Sequence, residues 1–137
     1  MDDLRALRVA DVMTLDPVTV TPDAPVEAAE RLMHANRIHG LPVLDDDNRL
    51  IGMISQTDLL LGGAQSIGAA LRNRPSGLRV GELMSSPALT VSLTGSLHEA
   101  ACRMREARVH RLVAVDEDGR PVGVLSAMDF VTLFAEA

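Results

Sequence analysis

Apolar residues recur in two rhythms along this chain, and the rhythms follow each other in a fixed order. Over 25–36, "PVEAAERLMHAN", Val26, Ala29 and Met33 share one face of a 3.6-residue period. Over 96–107, "SLHEAACRMREA", Leu97, Ala100, Ala101 and Met104 do the same. Each stretch predicts an amphipathic helix. Pro25 suits a first helical turn after Asp23 or Ala24, and Ser96 with Glu99 fits a capping box. After each helix come two short strand-like runs, "HGLPVLD" with "RLIGMIS" and "HRLVAVD" with "RPVGVLS". Acidic turns, "DDDN" and "DEDG", join them, and Asp118-Gly119 signals a tight hairpin. "PVTV" (17–20) and "ALTV" (88–91) predict a short strand ahead of each helix, and a further helix begins near Ser55 and near Ser126. The predicted unit is strand, helix, strand, strand, helix, written twice, which makes the fold class α+β.

The two units are copies. Gly52 opens "GMISQTDLL" and Gly123, 71 residues on, opens "GVLSAMDFV". The same offset sets Val9 on Val80, Met13 on Met84, Ala29 on Ala100, Met33 on Met104, Arg37 on Arg108 and His39 on His110. It continues without a gap through Asp45 on Asp116, Ser55 on Ser126 and Asp58 on Asp129. A register kept this long marks an internal repeat. The reading divides the chain into repeat 1 at 8–61, a linker at 62–78 and repeat 2 at 79–137. A short linker helix is expected to end near Arg74, because Pro75 and Gly77 stop it. Neither copy is large enough to be stable alone, so each is expected to bury its apolar sheet face against the other, giving two repeats packed through their sheets with pseudo-two-fold symmetry.

Composition narrows the function. With 137 residues, 47% apolar and 23% charged, the chain has a globular balance. Two phenylalanines are its only aromatic residues, and the net charge is −6. A single-stranded nucleic-acid platform needs aromatic stacking and a basic groove, so nucleic acid is not the expected partner. One cysteine allows no internal disulfide, the N-terminus has no signal-like segment, and no run approaches the ~20 apolar residues of a membrane span. No membrane partner and a cytoplasmic location are the resulting expectations.

The repeated Ser-x-x-Asp has two readings. As a capping box, the serine hydroxyl accepts a free backbone N–H and the acid reaches back, at about 1 kcal/mol. As a ligand site, the same helix start offers positive potential and a hydroxyl to a phosphate. The aspartate then offers acceptors to a vicinal diol such as a ribose. The preceding glycine permits close approach of backbone or ligand.

The doubled line "VMT…PVTVTPDAPVEAAERLM…IHGLPVLDDDNRLIGMISQTDLL" resembles a tandem pair of CBS (cystathionine-beta-synthase) domains, also called a Bateman module, over roughly residues 8–137. That resemblance implies a regulatory module binding AMP, ADP or ATP in clefts between the repeats, with S-adenosylmethionine or NAD less favoured and no obligatory metal. Carried over by position, Ser55 and Ser126 meet phosphate, Asp58 and Asp129 grip ribose, and Thr57 faces the ligand in copy one, where copy two has Met128. "RVHRLVAV" is also similar to the phosphate-facing stretch of gamma subunits of AMP-activated protein kinases, which implies His110 and Arg111 at phosphate. Copy one keeps His39 but follows it with Gly40. The resemblance further implies a homodimer forming a four-repeat disc, and output through a rearrangement of repeats or chains acting on an unknown effector protein.

Other constellations weigh less. Four histidines share no metal-ligand spacing, and "DDDN" lacks the pattern of a calcium loop. Ser55 or Ser126 with His39 or His110 and an aspartate makes a conceivable triad, but no nucleophile elbow, Walker loop or dinucleotide fingerprint accompanies it. The expectation is a non-enzyme. An assembly module with unoccupied clefts is the alternative, and a hydrolase a weaker one.

Overall fold

A computed structural model describes residues 5–15, 17–62 and 76–136. The expected linker helix, with Arg72 and Arg74, lies outside the described residues. In chain order the elements are α1 (Val9–Val12), β1 (Thr14–Leu15), α2 (Val26–Asn36), β2 (Gly40–Leu44), β3 (Leu50–Ser55) and α3 (Gln56–Leu61). Then follow α4 (Val80–Leu83), β4 (Thr90–Ser92), α5 (Leu97–Ala107), β5 (Arg111–Val115), β6 (Pro121–Ser126) and α6 (Ala127–Glu136).

The chain forms two compact units whose bounds differ from those of the sequence repeats. Val18–Ala88 makes the first-copy unit, while Met1–Pro17 with Leu89–Ala137 makes the second-copy unit. The lead-in of each repeat therefore belongs to the other copy's unit. Val80 is fully buried with Ala29, Met33, Leu41, Val43 and Ile54. Val9 is fully buried with Ala100, Met104, Leu112, Ala114 and Leu125. Backbone bonds fix both crossovers in matching ways. Val26 N–H donates to Leu78 O (3.0 Å) and Val80 N–H to Ala24 O (2.9 Å), while Leu97 N–H donates to Leu7 O and Val9 N–H to Gly95 O (both 2.9 Å). Burying a valine contributes about 1.5–3 kcal/mol, so each lead-in is anchored by its apolar side chain as well as by its backbone.

Each unit contains an antiparallel hairpin, β2 with β3 and β5 with β6, carrying a bulge at the same repeat position, Val43/Leu44 and Ala114/Val115. In the second-copy unit β1 and β4 extend the hairpin into a sheet ordered β1-β6-β5-β4. The predicted strand at "ALTV" forms as β4, parallel to β5. Its counterpart at "PVTV" shrinks to the single bridge Val20↔Val43. The cause is one residue: Val113 N–H donates to Leu89 O (3.1 Å), and Pro42, at the same place in copy one, has no N–H to give Val18.

Local signals hold with small corrections. Pro25 is the N-cap of α2 instead of a first-turn residue, its backbone extended at φ −61° and ψ 145°. Ser96 accepts from Glu99 N–H without the reciprocal half of a box. Asp118-Gly119 sits inside a longer turn, in which Asp116 Oδ1 accepts from the amides of Asp118 (2.9 Å) and Arg120 (3.0 Å). Asp45 does the same for Asp47 and Arg49. The left-handed position that closes the turn is Asn48 in one copy (φ 62°) and Gly119 in the other (φ 78°), two residues suited to that conformation. The acids of "DDDN" thus begin as turn-formers.

Candidate functional site

Both Ser-x-x-Asp turns form complete capping boxes where a strand passes into a helix. Asp58 N–H donates to Ser55 Oγ (3.1 Å) and Ser55 N–H to Asp58 Oδ2 (2.8 Å). In copy two the bonds are 3.3 Å and 2.7 Å, between Ser126 and Asp129. All four side chains are half-buried. The box fixes the groups without exhausting them. In this geometry each hydroxyl acts as an acceptor and keeps its proton for donation, and each carboxylate keeps Oδ1 as an acceptor. Thr57 and Met128 are exposed on the first turns of their helices.

The glycine of the repeated phrase serves backbone packing. A Cβ on Gly52 would lie 2.8 Å from both Met84 Sδ and Ser85 O, and one on Gly123 2.7 Å from Thr14 O and 2.8 Å from Met13 Sδ. These are the lead-in segments, held against the hairpin by Met53 and Ser85 exchanging amide bonds (2.9 and 2.8 Å) and by the β1–β6 pairing.

Arg111 and Ser126 stand directly opposite each other on β5 and β6, as Gly40 and Ser55 do on β2 and β3. Opposed residues project from the same face of the sheet, so the Arg111 and Ser126 side chains leave the hairpin on one side. Arg111 is half-buried. Burial pulls its pKa down, and among the described residues no carboxylate offsets that loss of hydration. Arginine stays charged regardless, so copy two holds a partly desolvated cation beside its box while copy one has a glycine there.

The two histidines share a backbone role and differ in side-chain setting. Gln56 N–H donates to His39 O and Ala127 N–H to His110 O, both at 2.8 Å. In copy one Gln56 Oε1 also lies 3.0 Å from His39 Nδ1. In copy two Ala127 cannot make that contact. There His110 lines an open cavity of about 420 Å³ between the C-terminal half of α5 and the start of α6. Arg111, the next residue, is not among those that line it. Arg105, Arg108 and Phe130 do line the cavity. Reading each copy by itself gives them no distinction. The signal lies in comparing copies, where Gln56 gives way to Ala127 and Leu59 to Phe130.

Two further polar groups stand outside these turns. Ser76 donates to Glu27 Oε2 through its amide (3.2 Å) and hydroxyl (2.7 Å), and Oε1 is buried without a partner among the described residues. Burial pushes the Glu27 carboxyl up, but the Ser76 bonds, its own backbone amide and the nearby Arg31 charge together bring it below the usual glutamate range. His98 Nε2 lies 3.7 Å from Cys102 Sγ. Among the described residues no three His, Cys, Asp or Glu side chains gather as a metal site, and no helix is long and apolar enough to cross a membrane.

Comparison with known proteins places this geometry. The family model described as CBS domain matches residues 9–62 and 80–136. Inosine-5'-monophosphate dehydrogenase of Mycobacterium tuberculosis is 33% identical over 120 residues, covering 87% of this chain and 21% of that protein. CBS domain-containing protein CBSX1, chloroplastic, of Arabidopsis thaliana is 32% identical over 128 residues, covering 78% of this chain and 54% of that protein. The chain thus spans about a fifth to a half of the length of these curated relatives. Among solved structures, CBSX2 in complex with AMP matches with a TM-score of 0.79 at 30% identity, covering 94% of this chain and 96% of that one. CBSX2 from Arabidopsis thaliana matches at 0.77 and 32%, covering 94% of each chain.

Proposed function

Because the chain belongs to the CBS-domain family as a tandem pair, we propose that it is a regulatory module that binds an adenosine nucleotide and performs no catalysis of its own. The observation that carries this reading is the half-buried Arg111, whose burial no carboxylate offsets among the described residues, at the strand position directly across the hairpin from Ser126. A desolvated cation of this kind is stabilised by an incoming anion. A phosphate on Arg111 and the Ser126 hydroxyl puts a ribose within reach of Asp129 Oδ1. CBSX2, similar at 30% identity, has been solved in complex with AMP. In copy one Ser55, Thr57 and Asp58 offer the hydroxyl and the acid without the arginine, so that site takes the nucleoside with weaker hold on phosphate. His39 and His110 flank the two turns. AMP, ADP and ATP are the favoured ligands, ahead of S-adenosylmethionine or NAD, and no metal is required.

Association with a second copy belongs to the same reading. Leu60 and Val131 occupy the same repeat position and are 74% and 57% exposed, with Met128 and Phe134 exposed beside Val131 on α6. Burying such side chains stabilises a homodimer by about 1.5–3 kcal/mol each. A nucleotide would act by favouring one associated arrangement over another, to the extent that it binds the two unequally, and an effector chain, in a cytoplasmic setting, would sense the difference.

Thermal unfolding with AMP, ADP, ATP, S-adenosylmethionine and NAD tests the proposal. A ligand at 100 times its dissociation constant adds about 2.7 kcal/mol. A melting temperature indifferent to all five would leave the capping boxes as purely structural turns and favour an assembly module instead.

A further inference from the structure

We propose that the lead-in of the first repeat, residues 5–15, is a releasable strap on the second-copy unit, whereas the lead-in of the second repeat is latched onto the first-copy unit by side-chain hydrogen bonds. The two lead-ins share the pattern Leu-Arg-Val-x-x-x-Met, at 7–13 and at 78–84. Their core anchors match. Val9 and Val80 are fully buried, and Met13 and Met84 lie in the notches left by Gly123 and Gly52. The backbone bonds match too: Val9 N–H donates to Gly95 O and Ala10 N–H to Leu93 O, as Val80 N–H does to Ala24 O and Gly81 N–H to Pro22 O, all at 2.9 Å.

The side chains around those anchors do not match. On the first-copy unit Ser76 donates to Glu27 through its amide (3.2 Å) and its hydroxyl (2.7 Å), Arg79 Nη1 donates to Asp23 O (3.0 Å), and Ser86 Oγ donates to Ile51 O (2.7 Å). The same positions of the first lead-in hold Arg5, Arg8 and Leu15, and His98 stands where Glu27 does. Arg5 and Arg8 are exposed, and leucine has no polar atom to offer. Among the described residues no side-chain hydrogen bond joins the first lead-in to the second-copy unit. In its favour Leu7 packs against the core and β1 adds the register pair Leu15↔Gly123, but Leu15 stays 64% exposed. Each latch bond adds to the cost of lifting a segment off, so the lead-in without them opens first.

Release has a consequence that only one copy can feel. β1 is the outer strand of the sheet ordered β1-β6-β5-β4, so lifting the strap turns β6 into an unpaired edge. β6 ends at Ser126, the first residue of the second Ser–Asp box. A force or a partner acting on residues 5–15 is thereby passed to the second-copy turn. The first-copy turn is spared, because its lead-in stays latched. The strap does not depend on what either turn binds.

Native-state hydrogen exchange on the full chain, resolved by residue with NMR, tests the strap. In the wild type the amides of Val9 and Ala10 are expected to be protected at least tenfold less than those of Val80 and Gly81, while amides within the β5–β6 ladder stay protected. Ser76→Ala combined with Ser86→Ala removes latch bonds and leaves Val80 in place. That variant is expected to bring Val80 and Gly81 down towards the protection of Val9 and Ala10, with the first lead-in unchanged. Equal protection of the two lead-ins in the wild type would overturn the proposal. So would exchange of Val9 only together with the whole β5–β6 ladder, or unchanged protection of Val80 and Gly81 in the double variant.

Discussion

At the junction of the second strand pair with its helix, the first-copy unit sets Gly40, His39 and Gln56, and the second-copy unit sets Arg111, His110 and Ala127. The backbone is the same in both: a histidine carbonyl holds the first helical amide at 2.8 Å, a Ser–Asp box caps the helix, and a bulge sits at the same step of the hairpin. The chemistry differs. One junction sets an amide on an imidazole, and the other has a half-buried guanidinium and, at His110, an open recess also lined by Arg105 and Arg108. Duplication has kept what the fold requires and released what only a ligand would notice.

The largest effects should come where the copies agree. Gly123→Val and Gly52→Val each drive a side chain into a lead-in segment closer than 3 Å. Each is expected to lower stability by about 3 kcal/mol, measured by urea unfolding. A marked inequality between them would mean the two lead-ins are not equivalent anchors.

Arg111→Met should separate the copies most sharply. Without ligand, replacing a half-buried cation that no described carboxylate offsets by an apolar chain of similar length is expected to leave stability equal or raise it by about 1 kcal/mol. With AMP present, affinity is expected to fall at least tenfold, about 1.4 kcal/mol. Loss of stability in the absence of ligand would make Arg111 a structural residue.

The caps come next. Ser126→Ala and Ser55→Ala are each expected to cost about 1 kcal/mol. Asp129→Asn, which keeps an acceptor for the Ser126 amide, is expected to spare stability while weakening nucleotide binding. If Asp129→Asn and Ser126→Ala instead alter stability alike and binding not at all, the box is only a cap.

An effect no larger than the caps, and confined to neutral pH, concerns Glu27, whose counterpart in copy two is His98. Its folded pKa lies below the unfolded value, so its contribution is present above the unfolded glutamate pKa, near 4.3, and is lost as pH falls through the folded one. Glu27→Gln is expected to cost about 1 kcal/mol at pH 7, from the weakened Ser76 bonds, with the difference from wild type vanishing in acid.

Much of this was legible in the residues themselves. The 71-residue register, the amphipathic faces of α2 and α5 and both Ser–Asp boxes follow from local pattern, because each rests on contacts within a few residues. The crossover of the lead-ins does not. "RVADVM" and "RVGELM" carry the same apolar signal, and Val9 and Val80 fit either core equally well by type. The loss of the first strand in copy one needed Pro42 to be read as a missing donor to a particular carbonyl. For the site, the residue types of Ser, Asp, His and Arg were visible. The setting of His110 was not, since that depends on where β5 begins and on what Ala127 leaves open beside it.

Calorimetric titration of AMP into the wild-type chain and into Arg111→Met tests the central claim most directly. The account predicts a saturable isotherm for the wild type and at least tenfold weaker binding in the variant. No binding heat in the wild type, or one affinity shared by both proteins, would contradict it.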